Sequence, residues 1–225
     1  MVIFEPKEHR YFNIATKDEY SSVSTVIGKF KPKFDTDKWS KYIADKEGVK
    51  QEEIIKRWDK TRDEASEKGK RIHKIIELYL SENKTEDTDL FKNFVKLLDS
   101  EREENTTIHT EKIVYNHMHK VAGTADMIED CGRYFNVYDI KTNKKFNFVN
   151  TYNERMLAPL DHLSVCEYSG YSIQLSIYAY MYHLMTGKYV GKLKIFYNTD
   201  SNWMSIPVGY MKDSVEKILP IFKYQ

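Results

Sequence analysis

The sequence of 225 residues has little cysteine, no long apolar segment and no excess of charge of one sign. Cys131 and Cys166 are far apart and form no C-x-x-C pair, so we expect neither a structural zinc site nor an iron–sulfur cluster, and a reducing, intracellular setting is favoured. No apolar run approaches the roughly 18 residues that a membrane span requires, and the first residues lack the pattern of a secretory signal. We therefore expect a cytoplasmic protein with no membrane partner.

The formal net charge of +1 gives no global signature of nucleic-acid binding, although a local basic patch is compatible with a neutral total. Lysines alternate with aromatic residues in one segment: Lys29, Phe30, Lys31, Lys33, Phe34, Lys38, Trp39 and Lys41. Such a segment could follow a phosphate backbone and stack on bases. The alternative is a solvated helix and loop with aromatic anchors in the core, because Asp35 and Asp37 dilute the charge.

Hydrophobic periodicity and turn residues predict mostly helices in the first half of the chain, after an opening hairpin. These elements are a hairpin in residues 1–20 and helices over 21–30, 51–60, 62–80 and 90–102. The second half alternates strands with two helices. It comprises strands over 110–119, 123–131 and 134–142, an irregular connection over 143–166, a helix over 168–186, strands over 192–199 and 203–208, and a helix over 210–222.

This order of elements predicts one α/β domain spanning residues 1–225, with a central mixed β-sheet flanked by helices. A mainly helical N-terminal part, residues 1–108, would dock on a sheet core formed by residues 109–225. The irregular connection over 143–166 is long for a compact domain, and such connections often carry function.

Two of the acids in residues 123–142, together with a lysine, are candidate site residues on two consecutive predicted strands. Asp126 lies early on the first strand, and Asp139 and Lys141 lie late on the second. Because side chains two apart on a strand point to the same face, Asp139 and Lys141 face the same way. They could form a solvated ion pair, or they could belong to a catalytic site.

Two helices supply further candidates. His73 and Glu77 are four residues apart and share a helix face, and Gly69, one turn earlier, could allow another element to approach closely. On the later apolar helix, Gln174 needs a hydrogen-bond partner if it is buried, which a structural contact would also satisfy. Tyr178 on the same helix could equally be ordinary core packing.

These residue types suit phosphodiester hydrolysis with a divalent metal. Mg²⁺ and Mn²⁺ prefer carboxylate oxygens, and Mn²⁺ also accepts imidazole. Asp126, Asp139 and His73 could supply that ligand set, and the backbone carbonyl of Ile140 could add one more oxygen. Lys141 could orient the attacking water and stabilise charge that develops on the phosphate.

Four motifs in order carry a family resemblance: GKRIHKIIE at 69–77, GTAD at 123–126, DIKT at 139–142 and QLSIY at 174–178. Each is weak alone, but the ordered set resembles the PD-(D/E)XK nuclease superfamily, in its RecB-like, phage-type exonuclease branch. The resemblance implies a restriction-endonuclease-like core and, because the cysteine cluster of the iron–sulfur subgroup is missing, membership outside that subgroup.

The resemblance also implies roles for individual residues. His73, Asp126 and Asp139 would bind the metal, together with the Ile140 carbonyl, and Lys141 would be the catalytic lysine. Five further residues would support the site or contact DNA. Glu77 would act through water or a second metal, Gln174 would hold the lysine or the DNA backbone, and Tyr178 would line the site. Thr142 and Lys144 would lie beside the catalytic strand.

The predicted function is that of an Mg²⁺- or Mn²⁺-dependent DNA exonuclease in phage-type recombination, replication, repair or DNA processing. Its substrate would be single- or double-stranded DNA with an end, with a recombination or replication protein as a further partner, in the cytoplasm of a bacterium or a phage-infected host. Two alternatives remain: a structure-specific, flap-type endonuclease, and a DNA-binding adaptor without catalysis.

Overall fold

The computed structural model describes residues 1–8, 10–199 and 202–222. The chain opens with three short antiparallel strands: β1 (Val2–Glu5), β2 (Arg10–Asn13) and β3 (Glu19–Ser22). Tyr11 and Tyr20 lie opposite each other on β2 and β3, and both are buried. The predicted opening hairpin is confirmed, and the N-terminal part thus contributes strands as well as helices to the sheet.

Four helices follow: α1 (Val23–Gly28), α2 (Thr36–Glu47), α3 (Gln51–Glu82) and α4 (Asp89–Glu101). Three of them start at residues whose side chains accept a hydrogen bond from a backbone N–H of the first turn, as capping residues do. These residues are Ser22, Asp35 and Thr88. The basic segment of residues 29–41 therefore divides into an irregular connection and the first turns of α2.

Helix α3 is one continuous helix of 32 residues, about 48 Å long at the usual rise per residue. The predicted break near residue 61 was wrong, because no proline or glycine interrupts the helix there. Its first part buries Ile54 beside α2, and its last part buries Ile72 and Ile76 against the sheet. Between these contacts, residues 60–68 are all exposed, so α2 and the start of α3 form an arm that extends from the sheet.

Within the described residues, eight strands form one mixed sheet. The remaining strands are β4 (Thr107–Asn116), β5 (Val121–Asp130), β6 (Tyr134–Lys141), β7 (Tyr189–Asn198) and β8 (Trp203–Val208). The order is β1-β2-β3-β5-β6-β7-β8, with β4 paired to β5, and the pairs β3–β5 and β6–β7 are parallel. The observed β4 begins and ends three residues earlier than predicted. The turn predicted after β7 includes residues 200 and 201, which lie outside the described residues.

Strand β5 has two partners in succession along one edge. β4 pairs with its other edge throughout, β3 pairs with it at Val121 and Ala122, and β6 pairs with it from Met127 to Asp130. β3 ends where it leaves β5, whereas β6 separates from β5 after Tyr138 and continues to Lys141 paired with β7. The ladder of backbone hydrogen bonds on this edge of β5 is therefore interrupted beside residues 123–126, where the N–H of Ile140 on β6 donates to the side chain of Asp126 instead.

Helices cover both faces of the sheet. α5 (Glu167–Thr186) buries Ile173 and Ile177 on one face, while α3 and α4 bury Ile76 and Phe94 on the other. The chain closes with α6 (Lys212–Ile218) and a 3₁₀ turn, Leu219–Phe222, where one longer helix was predicted. This is the predicted α/β class: a central mixed sheet flanked by helices, consistent with a restriction-endonuclease-like core. In the part of the chain that the structure describes, no helix is both long and apolar enough to cross a membrane.

Candidate metal centre

The candidate centre lies where β5 and β6 separate. Asp126 on β5 turns its carboxylate across the opening, and its Oδ2 accepts a hydrogen bond of 2.7 Å from the backbone N–H of Ile140. Asp139, the neighbour of Ile140 on β6, is buried, with a side chain 2% exposed. The two predicted acids therefore meet because adjacent strands bring them to the same gap in the sheet.

Helix α3 brings His73 to this gap. Its Nε2 lies 3.1 Å from the carbonyl oxygen of Ile140, and its Nδ1 lies 3.4 Å from Asp126 Oδ1. One turn earlier, a Cβ atom on Gly69 would lie 3.2 Å from Thr142 Oγ1. The close approach predicted at Gly69 is confirmed, and the partner is Thr142, the residue directly after β6.

Glu111 on β4 is the residue that sequence reasoning missed. It lies between the pairs Thr110–Met127 and Lys112–Ala125, and so opposite Asp126. Its φ of +46° is in the left-handed region, which non-glycine residues adopt at an energetic cost and often at functional sites. A strand acid without a motif carries no signal in the sequence, and only the pairing of β4 with β5 reveals its position.

His73, Glu111 and Asp126 form a group in which one ligand atom from each lies within 4.8 Å of the others. Among the described residues, Asp139 does not belong to this group. Its Oδ2 instead contacts the ammonium nitrogen of Lys141 at 2.5 Å. Asp139 and Lys141 therefore form an ion pair, but a buried one beside the candidate ligands rather than the solvated pair that was one alternative. Their catalytic role stays a prediction.

Mutual repulsion and burial control protonation in this centre. Burial, reinforced by the charge of Asp126, raises the pKa of Asp139 to about 6, although Lys141 opposes the shift. Removal from water and the charge of Asp126 raise the pKa of Glu111 to about 7. Because Glu111 as a whole residue is exposed, solvent screens part of this effect. The acids are too crowded to be ionised together at low cost.

Burial acts on the two basic groups in the opposite direction, because it lowers the pKa of an imidazole or an amine. Burial disfavours the imidazolium of His73, but its contact with Asp126 outweighs this and raises its pKa. Burial likewise disfavours the charged form of Lys141, yet the charge of Asp139 raises its pKa. The net result for Asp126 is a lowered pKa, because the charges of His73 and Lys141 outweigh its burial.

These observations fit a divalent cation. The carboxylates of Glu111 and Asp126 converge with the imidazole of His73, and the buried carboxylate of Asp139 lies on the neighbouring strand. Burial and the charge of Asp126 raise the pKa values of Glu111 and Asp139 toward neutrality. An added cation would relieve that repulsion. Carboxylate and carbonyl oxygens with one imidazole form a donor set that suits Mg²⁺ or Mn²⁺.

Helix α5 closes the other side of the centre. Gln174 donates a hydrogen bond of 3.0 Å to the hydroxyl of Tyr178, which is a structural contact of the kind considered for it. A contact of Gln174 with Lys141 or with the DNA backbone stays a prediction. Tyr178 is buried, and a Cβ atom on Gly123 would lie 2.6 Å from its ring. Nearer the start of the helix, the ring of Tyr171 lies 4.6 Å from the ammonium of Lys141.

Three predicted supporting residues lie around the centre without reaching its ligand atoms in the described contacts. Glu77 pairs with Lys74 at 2.9 Å on the next turn of α3. Thr142 Oγ1 lies beside α3, 3.2 Å from the position that a Cβ atom on Gly69 would occupy. Lys144 is exposed at the start of the long connection after β6.

Comparison with known proteins finds no matching protein-family model and no matching curated protein. Solved structures similar to the chain include a protein named SSO0001, with 12% identity and a TM-score of 0.42. The aligned region covers 92% of this chain and 74% of SSO0001. Another, from Eubacterium rectale and named as a candidate exonuclease, has 12% identity and a TM-score of 0.35, covering 91% and 77%. At these TM-scores neither likeness indicates a function for this chain.

Proposed function

We propose that the protein is a metal-dependent nuclease that hydrolyses DNA phosphodiester bonds from an end, with Mg²⁺ or Mn²⁺ as its cofactor. The observation that carries this proposal is the convergence of His73, Glu111 and Asp126, with ligand atoms within 4.8 Å of one another, beside the buried pair of Asp139 and Lys141. The four ordered motifs that resemble PD-(D/E)XK nucleases support the same conclusion.

The roles of the residues follow from their chemistry. His73, Asp126 and Asp139 would hold the metal, with Glu111 and the Ile140 carbonyl as further oxygen donors. When bound, the metal polarises the phosphoryl group and lowers the pKa of an attacking water. Lys141 has an ammonium group held in a largely buried position, with a side chain 17% exposed. It would orient the water and stabilise negative charge on the phosphate, where a low dielectric strengthens the interaction.

The surroundings of the centre support a polynucleotide substrate. The ammonium of Lys31 lies against Gly170, one residue before Tyr171, which contacts Lys141. Farther along the same segment, the rings of Phe34 and Trp39 are exposed. Lysines beside exposed aromatic rings can bind phosphates and stack on bases, which supports the nucleic-acid-binding alternative for these residues. Phe30 is instead buried in the core, as the other alternative predicted.

The proposal includes a biological setting that the resemblance suggests: DNA recombination, replication or repair of the phage type, in the cytoplasm and with a recombination or replication protein as a partner. Action from an end rather than within a strand is part of the proposal. Internal cutting, as by a flap-type endonuclease, is the principal alternative. Closed circular DNA distinguishes the two, because an enzyme that acts only from an end leaves it intact.

The test is an assay of end-labelled DNA in single-stranded, double-stranded and flapped forms, with closed circles in parallel. We expect loss of linear DNA with Mg²⁺ or Mn²⁺, no loss with EDTA, and intact circles. Asp126→Asn and Lys141→Ala should each reduce the rate by at least about a hundredfold.

Asp130→Asn is the matched control, because it makes the same change on the same strand at a residue paired with Lys188 outside the centre. It should keep nearly full activity. Cut circles would show an endonuclease, and DNA binding without cleavage of any substrate would show an adaptor. Full activity in Asp126→Asn would overturn the proposed centre.

A further inference from the structure

Tyr171 is an aromatic residue of α5 that lies outside the four motifs. Its ring centroid is 4.6 Å from the ammonium nitrogen of Lys141. This distance is within the range in which the negative face of an aromatic ring attracts a cation. Tyr171 is half-buried, so water competes weakly for the ammonium at this contact.

The ring of Tyr171 is fixed from both ends. Helix α5 holds its backbone, and its hydroxyl donates a hydrogen bond of 3.2 Å to Asn143 Oδ1. The carbonyl of Asn143 in turn accepts a hydrogen bond of 2.9 Å from the hydroxyl of Tyr197 on β7. Phe146 packs against both rings, with centroids 5.9 Å from Tyr171 and 5.0 Å from Tyr197. The ring face is therefore preorganised before any substrate arrives.

The ammonium of Lys141 needs the ring of Tyr171 because its other partner, Asp139, would be shared with a bound metal. Asp139, which lies 2.5 Å from the ammonium, is also a candidate metal ligand. A carboxylate that donates electron density to a divalent cation attracts an ammonium less strongly, and the cation itself repels the ammonium. A buried ammonium that loses its partner is costly. The ring of Tyr171 is an attractive surface for Lys141 that a metal on Asp139 does not take away.

We propose that Tyr171 is a positioning residue that holds the ammonium of Lys141 in place through the face of its ring. The effect on the reaction rests on the proposed nuclease function, whereas the contact itself does not. The attraction comes from the face of the ring, and α5 and Phe146 still hold that ring when the hydroxyl is removed. Phenylalanine should therefore replace tyrosine, and leucine should not.

The contact is tested directly by NMR on protein with ¹³C-labelled lysine. The aromatic ring shifts the ε-methylene signal of Lys141 upfield, and Lys141→Ala identifies that signal by its loss. We expect the shift in the wild type and in Tyr171→Phe, with EDTA and with Mg²⁺, and its absence in Tyr171→Leu. Tyr168→Leu, one turn earlier on α5, is the matched control and should keep it. An unshifted signal in the wild type with Mg²⁺ would overturn the proposal.

The consequence for catalysis is tested by steady-state cleavage of linear DNA. Tyr171→Leu should lower kcat about tenfold with KM unchanged, since the ring acts on Lys141 and not on substrate affinity. Tyr171→Phe should restore kcat to near the wild-type value. In a Lys141→Ala background, Tyr171→Leu should cause no further loss.

An equal tenfold loss in the Lys141→Ala background would overturn positioning through Lys141, as would an unchanged kcat in Tyr171→Leu. If the wild type degrades no DNA, the proposed function fails instead. In that case the NMR comparison alone decides whether Tyr171 holds Lys141.

Discussion

At the scale of the residue, the candidate centre combines a strained backbone conformation with repulsion between acids. Glu111 has a left-handed φ of +46° and lies opposite Asp126, another acid. Like charges placed directly opposite on paired strands are destabilising. An arrangement that destabilises the metal-free protein is reasonable where a bound cation stabilises the folded state.

Glu111→Gln should therefore stabilise the metal-free protein while weakening metal binding. The pKa of Glu111 is raised to about 7 in the folded protein, above the ordinary glutamate value of 4.5. Its contribution to stability is consequently greatest below its unfolded pKa and is lost as the pH rises through about 7. With EDTA, the Tm of the variant should exceed that of the wild type at alkaline pH, and the difference should vanish in mild acid.

Calorimetric titration with Mn²⁺ should show about tenfold weaker binding to Glu111→Gln. Glu104→Gln, an exposed acid on the connection before β4, is the control for both measurements. Unchanged affinity for Mn²⁺ would exclude Glu111 as a ligand. A Tm that is lower than the wild type at alkaline pH would contradict the proposed repulsion.

At the scale of the element, the centre depends on how closely α5 and α1 pack over β5. Gly123 is the position where they converge, because a Cβ there would lie 2.6 Å from the ring of Tyr178 and 2.9 Å from Val23 Cγ2. No side chain fits without movement. The glycine of the GTAD motif thus has a packing reason that the sequence alone does not show.

Gly123→Ala should reduce the free energy of unfolding by about 1–3 kcal/mol, the usual cost of overpacking a core. Urea unfolding followed by circular dichroism measures this. Gly28→Ala is the matched control, since a Cβ at Gly28 would meet no atom within 4 Å. Equal stability of the two variants would show that Tyr178 can move away, and that this contact does not set the distance between α5 and β5.

At the scale of the whole molecule, a buried acid far from the opening joins several parts of the fold. Glu129 on β5 is fully buried. It accepts hydrogen bonds from the backbone N–H of Glu103 at 2.7 Å and the hydroxyl of Thr106 at 2.8 Å. Asn136 and Tyr138 on β6 also donate to it, at 2.8 Å and 2.7 Å. The connection from α4 is thereby fastened to the two strands that carry the candidate centre.

Glu129→Gln should lower the free energy of unfolding by about 2 kcal/mol near neutral pH, because an amide cannot accept all four of these hydrogen bonds well. Burial acts to raise the pKa of Glu129, but the hydrogen bonds from Asn136 and Tyr138 outweigh it and lower the pKa. The stabilisation is therefore present above the ordinary glutamate pKa and is lost as the pH falls through the lowered value. Urea unfolding at neutral and at acidic pH measures both effects.

The difference between Glu129→Gln and the wild type should shrink in acid, where the wild-type carboxylate is also neutralised. Glu104→Gln should leave stability unchanged at either pH. A difference that is constant with pH would mean that shape, rather than charge, accounts for the loss.

Much of the centre could be predicted from local sequence, because its chemistry depends on residue types at fixed spacings. The strand period placed Asp139 and Lys141 on one face, the helix period placed His73 one turn after Gly69, and the alternation of helices and strands predicted the α/β class. Each of these inferences concerns neighbours along the chain, where backbone geometry dictates direction.

Tertiary structure decided what pairs across the chain. Glu111 enters the centre only because β4 pairs with β5, Gln174 is satisfied by Tyr178, and Tyr171 meets Lys141 only because α5 crosses the end of β6. The continuity of α3 past residue 61 was likewise missed, since no local breaker distinguishes one helix from two. Contacts between distant residues depend on strand register and helix packing, and a single sequence without its fold contains no direct record of either.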